Sequence, residues 1–234
     1  MTVLSAAQQA IMKLVGRKPA AVVSATEEIC VEITALAQEA AVEIAKAHDW
    51  QELTEFYEIT ADGVASSYPF PSDYDRMVQA SEIFDPNNWC WGYHHVPDYS
   101  EWLQYQIGGI GLISPGIWTI RKNEFHFMPA PAAGQKAIFP YVRNTIFTDQ
   151  NGNLKSTITS DSDSFVLDER LLTLALLWKY KAMKGLDYQQ EVDDYNIALS
   201  QAMARNRGGR VIRSRRHGGS LDVRAAWPWP LGGV

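Results

Sequence analysis

The amino-acid sequence predicts an α+β protein, mainly α: a four-helix bundle made of two helical hairpins, with a small β-rich subdomain inserted and an extended C-terminal tail. Three observations predict it. Apolar residues recur at helical spacing near both ends of the 234-residue chain. The stretch between them, about 51–165, has strand-type composition bounded by Gly and Pro. Residues 203–234 then carry seven arginines, no lysine and no apolar period before ending in Trp227-Pro228-Trp229-Pro230.

The first hairpin rests on two segments. Ser5 to Val15 places Ala7, Ile11 and Leu14 on one face, with Gly16 positioned to end the helix. After the Arg17-Lys18-Pro19 loop, Ser24-Ala25-Thr26-Glu27 has the form of a capping box, in which serine and glutamate each satisfy one orphan backbone N–H. The helix it opens keeps Ile29, Ile33, Leu36, Ala40 and Ile44 on one stripe and Glu28, Glu32, Glu39 and Glu43 on the other.

From Trp50 the pattern changes. Leu53–Ile59, Ile117–Ile120, Phe125–Phe127 and Ala137–Val142 have β-type composition, and Tyr99–Gln106 reads as a short helix. Pro140 assigns its strand to an edge or a bulge, since proline donates nothing to a ladder. Asp149-Gln150-Asn151-Gly152-Asn153 is a turn.

The second hairpin follows. Asp168 is placed to cap a helix carrying Leu171, Leu172, Leu174, Ala175, Leu176, Trp178 and Ala182, an arc wide enough to meet more than one neighbour. Gly185-Leu186-Asp187 turns a corner, and Tyr188, Val192, Tyr195, Leu199 and Met203 form the stripe of the last helix. The domain reading is therefore a helical-bundle domain over 1–204, with the β-rich insertion at about 51–165, and a docking tail over 205–234.

Composition and charge narrow the function. Residues 203–234 hold seven positive charges against Asp222 alone, a balance of +6, so with −6 for the whole chain the remainder sits near −12. A polar, Gly-containing segment of that kind builds no core of its own and takes order only by docking on a surface outside itself. No run approaches the ~20 apolar residues of a membrane span, and residues 1–23 lack a secretory layout. Cys30 and Cys90 give no disulfide framework and fit a reducing compartment.

Sites for chemistry are weak. His94-His95 with Cys90 is the cluster nearest to a transition-metal site, but it has no second ligand pair, and adjacent side chains in an extended segment face opposite ways. Gly108-Gly109-Ile110-Gly111 lacks the Lys-Ser/Thr of a phosphate loop. Asp161/Asp163 and Asp193/Asp194 are the acid pairs, one in a Ser/Asp loop and one on a solvated helix face, and neither pattern buries a carboxyl. No nucleophile-elbow sequence frames a serine. The expectation is a protein without catalytic, metal or cofactor residues. Most tryptophans fall in or beside elements, where core packing explains them, whereas Trp227 and Trp229 alternate with prolines beyond any periodic segment and have the character of anchors for a partner's pockets.

Several segments together resemble the head-to-tail adaptor proteins of tailed bacteriophages, the tail accessory or head-completion factors. They are Pro129-Ala130-Pro131-Ala132-Ala133-Gly134-Gln135, Pro140-Tyr141-Val142-Arg143-Asn144, Phe165 to Leu172, and Leu176 to Tyr188 with its Trp178-Lys179-Tyr180-Lys181 core. The resemblance spans roughly residues 20–210. It implies a virion protein of the neck, made in the host cytoplasm, that assembles as a ring of twelve copies beneath the portal. Its partners would be the portal above and a tail protein (tube, nozzle or terminator) below, with packaged DNA passing the channel non-specifically and no membrane contact. In such adaptors a C-terminal extension climbs onto the portal. Carried over, the docking residues are Trp227, Pro228, Trp229, Pro230 and Leu231, helped by Arg205, Arg207, Arg210, Arg213, Arg215 and Arg216 finding acidic portal grooves. Two rival readings stand beside it: a nucleic-acid-binding protein acting through the arginine tail, and an enzyme using the Asp161/Asp163 pair.

Overall fold

The computed structural model describes residues 2–87, 92–108 and 116–206. They divide into two compact units: one comprises 2–55, 73–79 and 141–206, the other 56–72, 80–87, 92–108 and 116–140.

The first unit holds four helices, α1 (Val3–Val15), α2 (Glu28–Lys46), α4 (Glu169–Met183) and α5 (Gln189–Asn206). To these it adds β3 (Tyr74–Met77) and a small sheet of β9 (Phe147–Thr148), β10 (Leu154–Lys155) and β11 (Ser164–Phe165) in the order β10-β9-β11. In the second unit, helix α3 (Tyr99–Gly108) accompanies β2 (Ser67–Pro69), β4 (Ile83–Phe84), β5 (Gly92–His95), β6 (Ile117–Arg121) and β7 (Glu124–Met128). The boundaries between the units fall within β1 (Thr54–Thr60) and β8 (Lys136–Arg143). The large sheet runs β1-β8-β4-β5-β6-β7-β2, with β3 also paired to β8.

The expected mainly helical four-helix bundle is not what forms. Among the described residues, five helices, an eight-stranded sheet and a three-stranded sheet make a mixed α+β protein. The reason lies in how the helices are partnered. α4 packs against α1, α2 and α5, as its wide apolar arc predicted, but α5 fully buries only Tyr195 and leaves Ala198, Leu199, Ala202 and Met203 half-buried against the core. The core of this unit is completed instead from segments outside the four α-helices: Leu53, Val142, Ile146, Phe147, Phe165 and Leu167 join Ile11, Ile33, Ile44, Leu171 and Leu176. The second unit has an aromatic interior of its own, with Phe125 against Phe139 at 4.5 Å and Tyr93 against Phe127 at 5.0 Å between ring centroids. Such rings bury far more area per residue than aliphatic side chains.

Two local expectations also change. Ser24 does not cap α2; its Oγ donates to Asp161 Oδ2 at 2.9 Å, and the helix starts at Glu28 without a side-chain cap. Pro140 lies in a strand flanked by neighbours, not at an edge. The structure accommodates it because β8 meets β4 at Ile138 and β3 from Tyr141 onward, so proline falls between the two pairings. By contrast, Asp168 caps α4 by accepting from Arg170 N–H at 2.8 Å, and Gly185 makes the α4–α5 corner at φ 68°, a conformation glycine adopts without strain.

A buried cation ties α2 to α4. Lys179 is only 7% exposed, and its ammonium donates to Glu39 at 2.7 Å and Glu43 at 2.8 Å. The acid stripe of α2 thus supplies counter-charges to the helix it packs on, with Lys184 donating to Glu32 at 2.6 Å as a second link.

Candidate functional site

A wide groove of the helical unit lies between α1 and α5, over the first half of α4. It encloses about 940 Å³. Phe165 and Leu167, both buried, and the half-buried Leu174 line it, and Ile197 stands on its α5 side at 57% exposure. Gln9 and Lys13 form the α1 side. The groove follows from the helix partnering: α1 and α5 each pack on α4, and among the described residues no further helix fills the space between them. Asp168, Glu169 and Asp194 bring carboxylates to it against Lys13 and Arg170. Burial pushes the Glu169 carboxyl up, opposed by a 2.9 Å hydrogen bond donated from Ser5 Oγ.

The exit of α5 is fixed by hydrogen bonds. Asn206 Oδ1 accepts from Gln51 N–H at 3.1 Å, its carbonyl accepts from Gln51 Nε2 at 2.6 Å, and its Nδ2 donates to Glu52 Oε2 at 2.7 Å. A 3₁₀ turn over Gln51–Leu53 thereby holds the last described residue of the helix.

The acid pairs are absorbed by structure. Asp161 accepts from Val22 N–H at 2.9 Å, Val23 N–H at 2.8 Å and the Ser24 hydroxyl. Burial would raise its pKa, but those donors outweigh it and hold the carboxyl below its ordinary value. Asp163 is fully buried and accepts from Lys155 Nζ at 2.9 and 2.7 Å, Thr159 N–H at 2.8 Å and Ser160 N–H at 3.0 Å. Here too desolvation is overcome, chiefly by Lys155, and the pKa is lowered. Both groups are locked as anions, the opposite of what a general acid requires. Asp193 and Asp194 sit exposed on α5, bonded to Gln189 and Gln190 one turn earlier.

His95 stacks on Trp118 at 4.2 Å, and burial, with His94 beside it, lowers its pKa. Cys90 lies outside the described residues, as do Gly109 and Gly111. Among the described residues no group of three or more His, Cys, Asp or Glu side chains is placed to hold a metal ion, and no helix is long and apolar enough to cross a membrane.

The helical unit thus combines an open groove with acid pairs that are committed to loop and helix structure. The family model described as SU10 adaptor protein matches residues 1–224. The chain belongs to the SU10 adaptor family. No curated protein matches it in sequence. The family is one of phage head–tail adaptors, structural proteins rather than catalysts, and the resemblance read from the sequence names the same family.

For this SU10 adaptor, the docking residues expected from the sequence fall almost wholly outside the described residues: Arg207, Arg210, Arg213, Arg215, Arg216 and Trp227 to Leu231 all lie beyond Asn206, and only Arg205, exposed near the end of α5, is placed. Trp227 to Leu231 also lie beyond the span the family model matches. Sequence reasoning missed the groove and the Asn206 clamp. The groove had one signal. Ile197 is apolar yet lies off the Tyr188/Val192/Tyr195/Leu199/Met203 stripe, so it marks a second apolar face on α5.

Proposed function

We propose that this adaptor forms a ring beneath the portal of a phage neck, joins head to tail there, and continues the DNA conduit toward a tail protein below. Family membership over residues 1–224 is the observation that carries this reading. Twelve copies packed side by side would give each copy the same heterologous contact, with the rotation closing the ring. Each contact should bury at least roughly 1,000 Å². The exposed flank of α5, with Asp193, Asp194, Asn196 and Ile197, offers unspent surface for such a neighbour.

Charge supports a division of labour. The acidic body repels the DNA backbone and favours passage over capture, whereas the arginines from Arg205 to Arg216 suit acidic grooves on the portal and the indoles of Trp227 and Trp229 suit apolar pockets there. Mixing purified protein with portal rings tests this. Full-length chain should bind, and chain ending at residue 204 should bind at least about tenfold more weakly, the loss expected when aromatic and arginine anchors are removed. Equal binding by the two would refute portal docking through the tail.

A further inference from the structure

We infer that the groove between α1 and α5 is the seat of the chain's own C-terminal segment, Trp227 to Leu231, before the segment meets any partner. The argument starts from reach. Twenty-eight residues follow Asn206, and twenty-one steps separate Asn206 from Trp227. Extended, that span covers about 70 Å, and as a flexible coil about 25 Å. Ile197 lies nine residues back along α5, only about 14 Å of helix from the exit point. The Asn206 clamp on Gln51 and Glu52 keeps that exit beside the groove, so the tether works at an effective concentration in the millimolar range.

Chemistry agrees with reach. The groove offers the exposed Ile197 and the half-buried Leu174 to an apolar occupant, over a floor where Phe165 and Leu167 are already buried, and 940 Å³ is ample for two indoles and their prolines. Trp-Pro-Trp-Pro-Leu is such an occupant, stiffened by its prolines so that docking costs little chain entropy. In that seat the arginines between Asn206 and Trp227 would pass a rim where Asp168, Glu169 and Asp194 outnumber Lys13 and Arg170. On α5 itself Asp193 adds a further exposed carboxylate beside that path.

The consequence for assembly rests on the proposed portal role, although the docking itself does not. One segment would have two exclusive seats, its own groove in the free chain and the portal in the neck, so the portal would have to displace it. A parked tail keeps two exposed indoles and an exposed Ile197 from associating copies at random.

A photo-cross-linking amino acid tests the seat in the full-length chain. Ile197 is replaced by p-benzoylphenylalanine, which the 57% exposure of this position tolerates, and the free protein is irradiated and mapped by mass spectrometry. Links from position 197 to residues 225–231 at monomer mass are expected, with a yield that falls at least about tenfold in a Trp227→Ala/Trp229→Ala chain. Links to those residues only at dimer mass would assign the groove to a second copy and overturn the proposal. So would links that avoid the tail, or a yield unchanged by the double substitution. Portal binding of the same variants, measured separately, shows whether the neck role survives either result.

Discussion

At the scale of single residues, charges placed inside this protein hold it together. Lys179 is nearly buried, and its pKa is raised because Glu39 and Glu43 outweigh the burial that would lower it; Glu39 is correspondingly held below its ordinary range by Lys179. A raised lysine contributes stability below its unfolded pKa near 10.5 and loses it as pH climbs through the folded value. A depressed glutamate contributes above 4.5 and loses it as pH falls. The clamp therefore works between those limits. Lys179→Met, which keeps the apolar stem, should cost about 1 kcal/mol near neutral pH, because carboxylates at least half exposed are screened by water. In urea titrations that deficit should shrink or reverse as pH drops through the carboxylate range; a deficit independent of pH would deny the ion pair its role. Asp163→Ala should cost more, about 3 kcal/mol, since it strands the Lys155 ammonium and two amides around a fully buried position. This loop reading was hard to extract from the sequence. Ser24 and Glu27 spell a capping box, and only the fold reveals that Asp161, far along the chain, takes the serine.

At the scale of elements, the helices were largely legible and their assembly was not. Asp168, Gly185 and the two apolar stripes mark α4 and α5 because capping and turn chemistry are local. The strands that complete the helical core, such as β9 and β11, are two residues long and carry no period to read. Their contribution arises from Phe147 and Phe165 packing 5.7 Å apart, a tertiary fact. The groove was visible only as Ile197 on the wrong face of its helix. α5 is held to α4 by the ring of Tyr195 near Trp178 at 6.2 Å and to the Gln51 turn by Asn206. Tyr195→Ala should therefore loosen α5 selectively, at about 3 kcal/mol. Hydrogen exchange would show this as faster exchange across residues 189–206 with α2 unchanged. Uniform acceleration everywhere would mean α5 is integral to the global fold instead of an outlying helix.

At the scale of the whole molecule, sequence and family converge on an adaptor, and the physical basis is a separation of charge along one chain. An acidic stretch precedes a basic segment that carries Trp227 and Trp229 near its end. That arrangement should make association with an acidic portal surface salt-sensitive in rate, with the indoles governing how long the complex lasts. In stopped-flow binding, neutralising Arg213, Arg215 and Arg216 to glutamine should slow association at low salt, whereas Trp227→Ala should speed dissociation; the reverse pattern would misplace the two roles. Electron cryomicroscopy of full-length protein mixed with portal rings decides whether this chain is a ring component of the neck whose tail seats on the portal. A closed annulus of adaptor beneath the portal is expected, with Trp227 and Trp229 against portal subunits. Portal rings without adaptor density, or a bound annulus whose indoles never touch the portal, would contradict it.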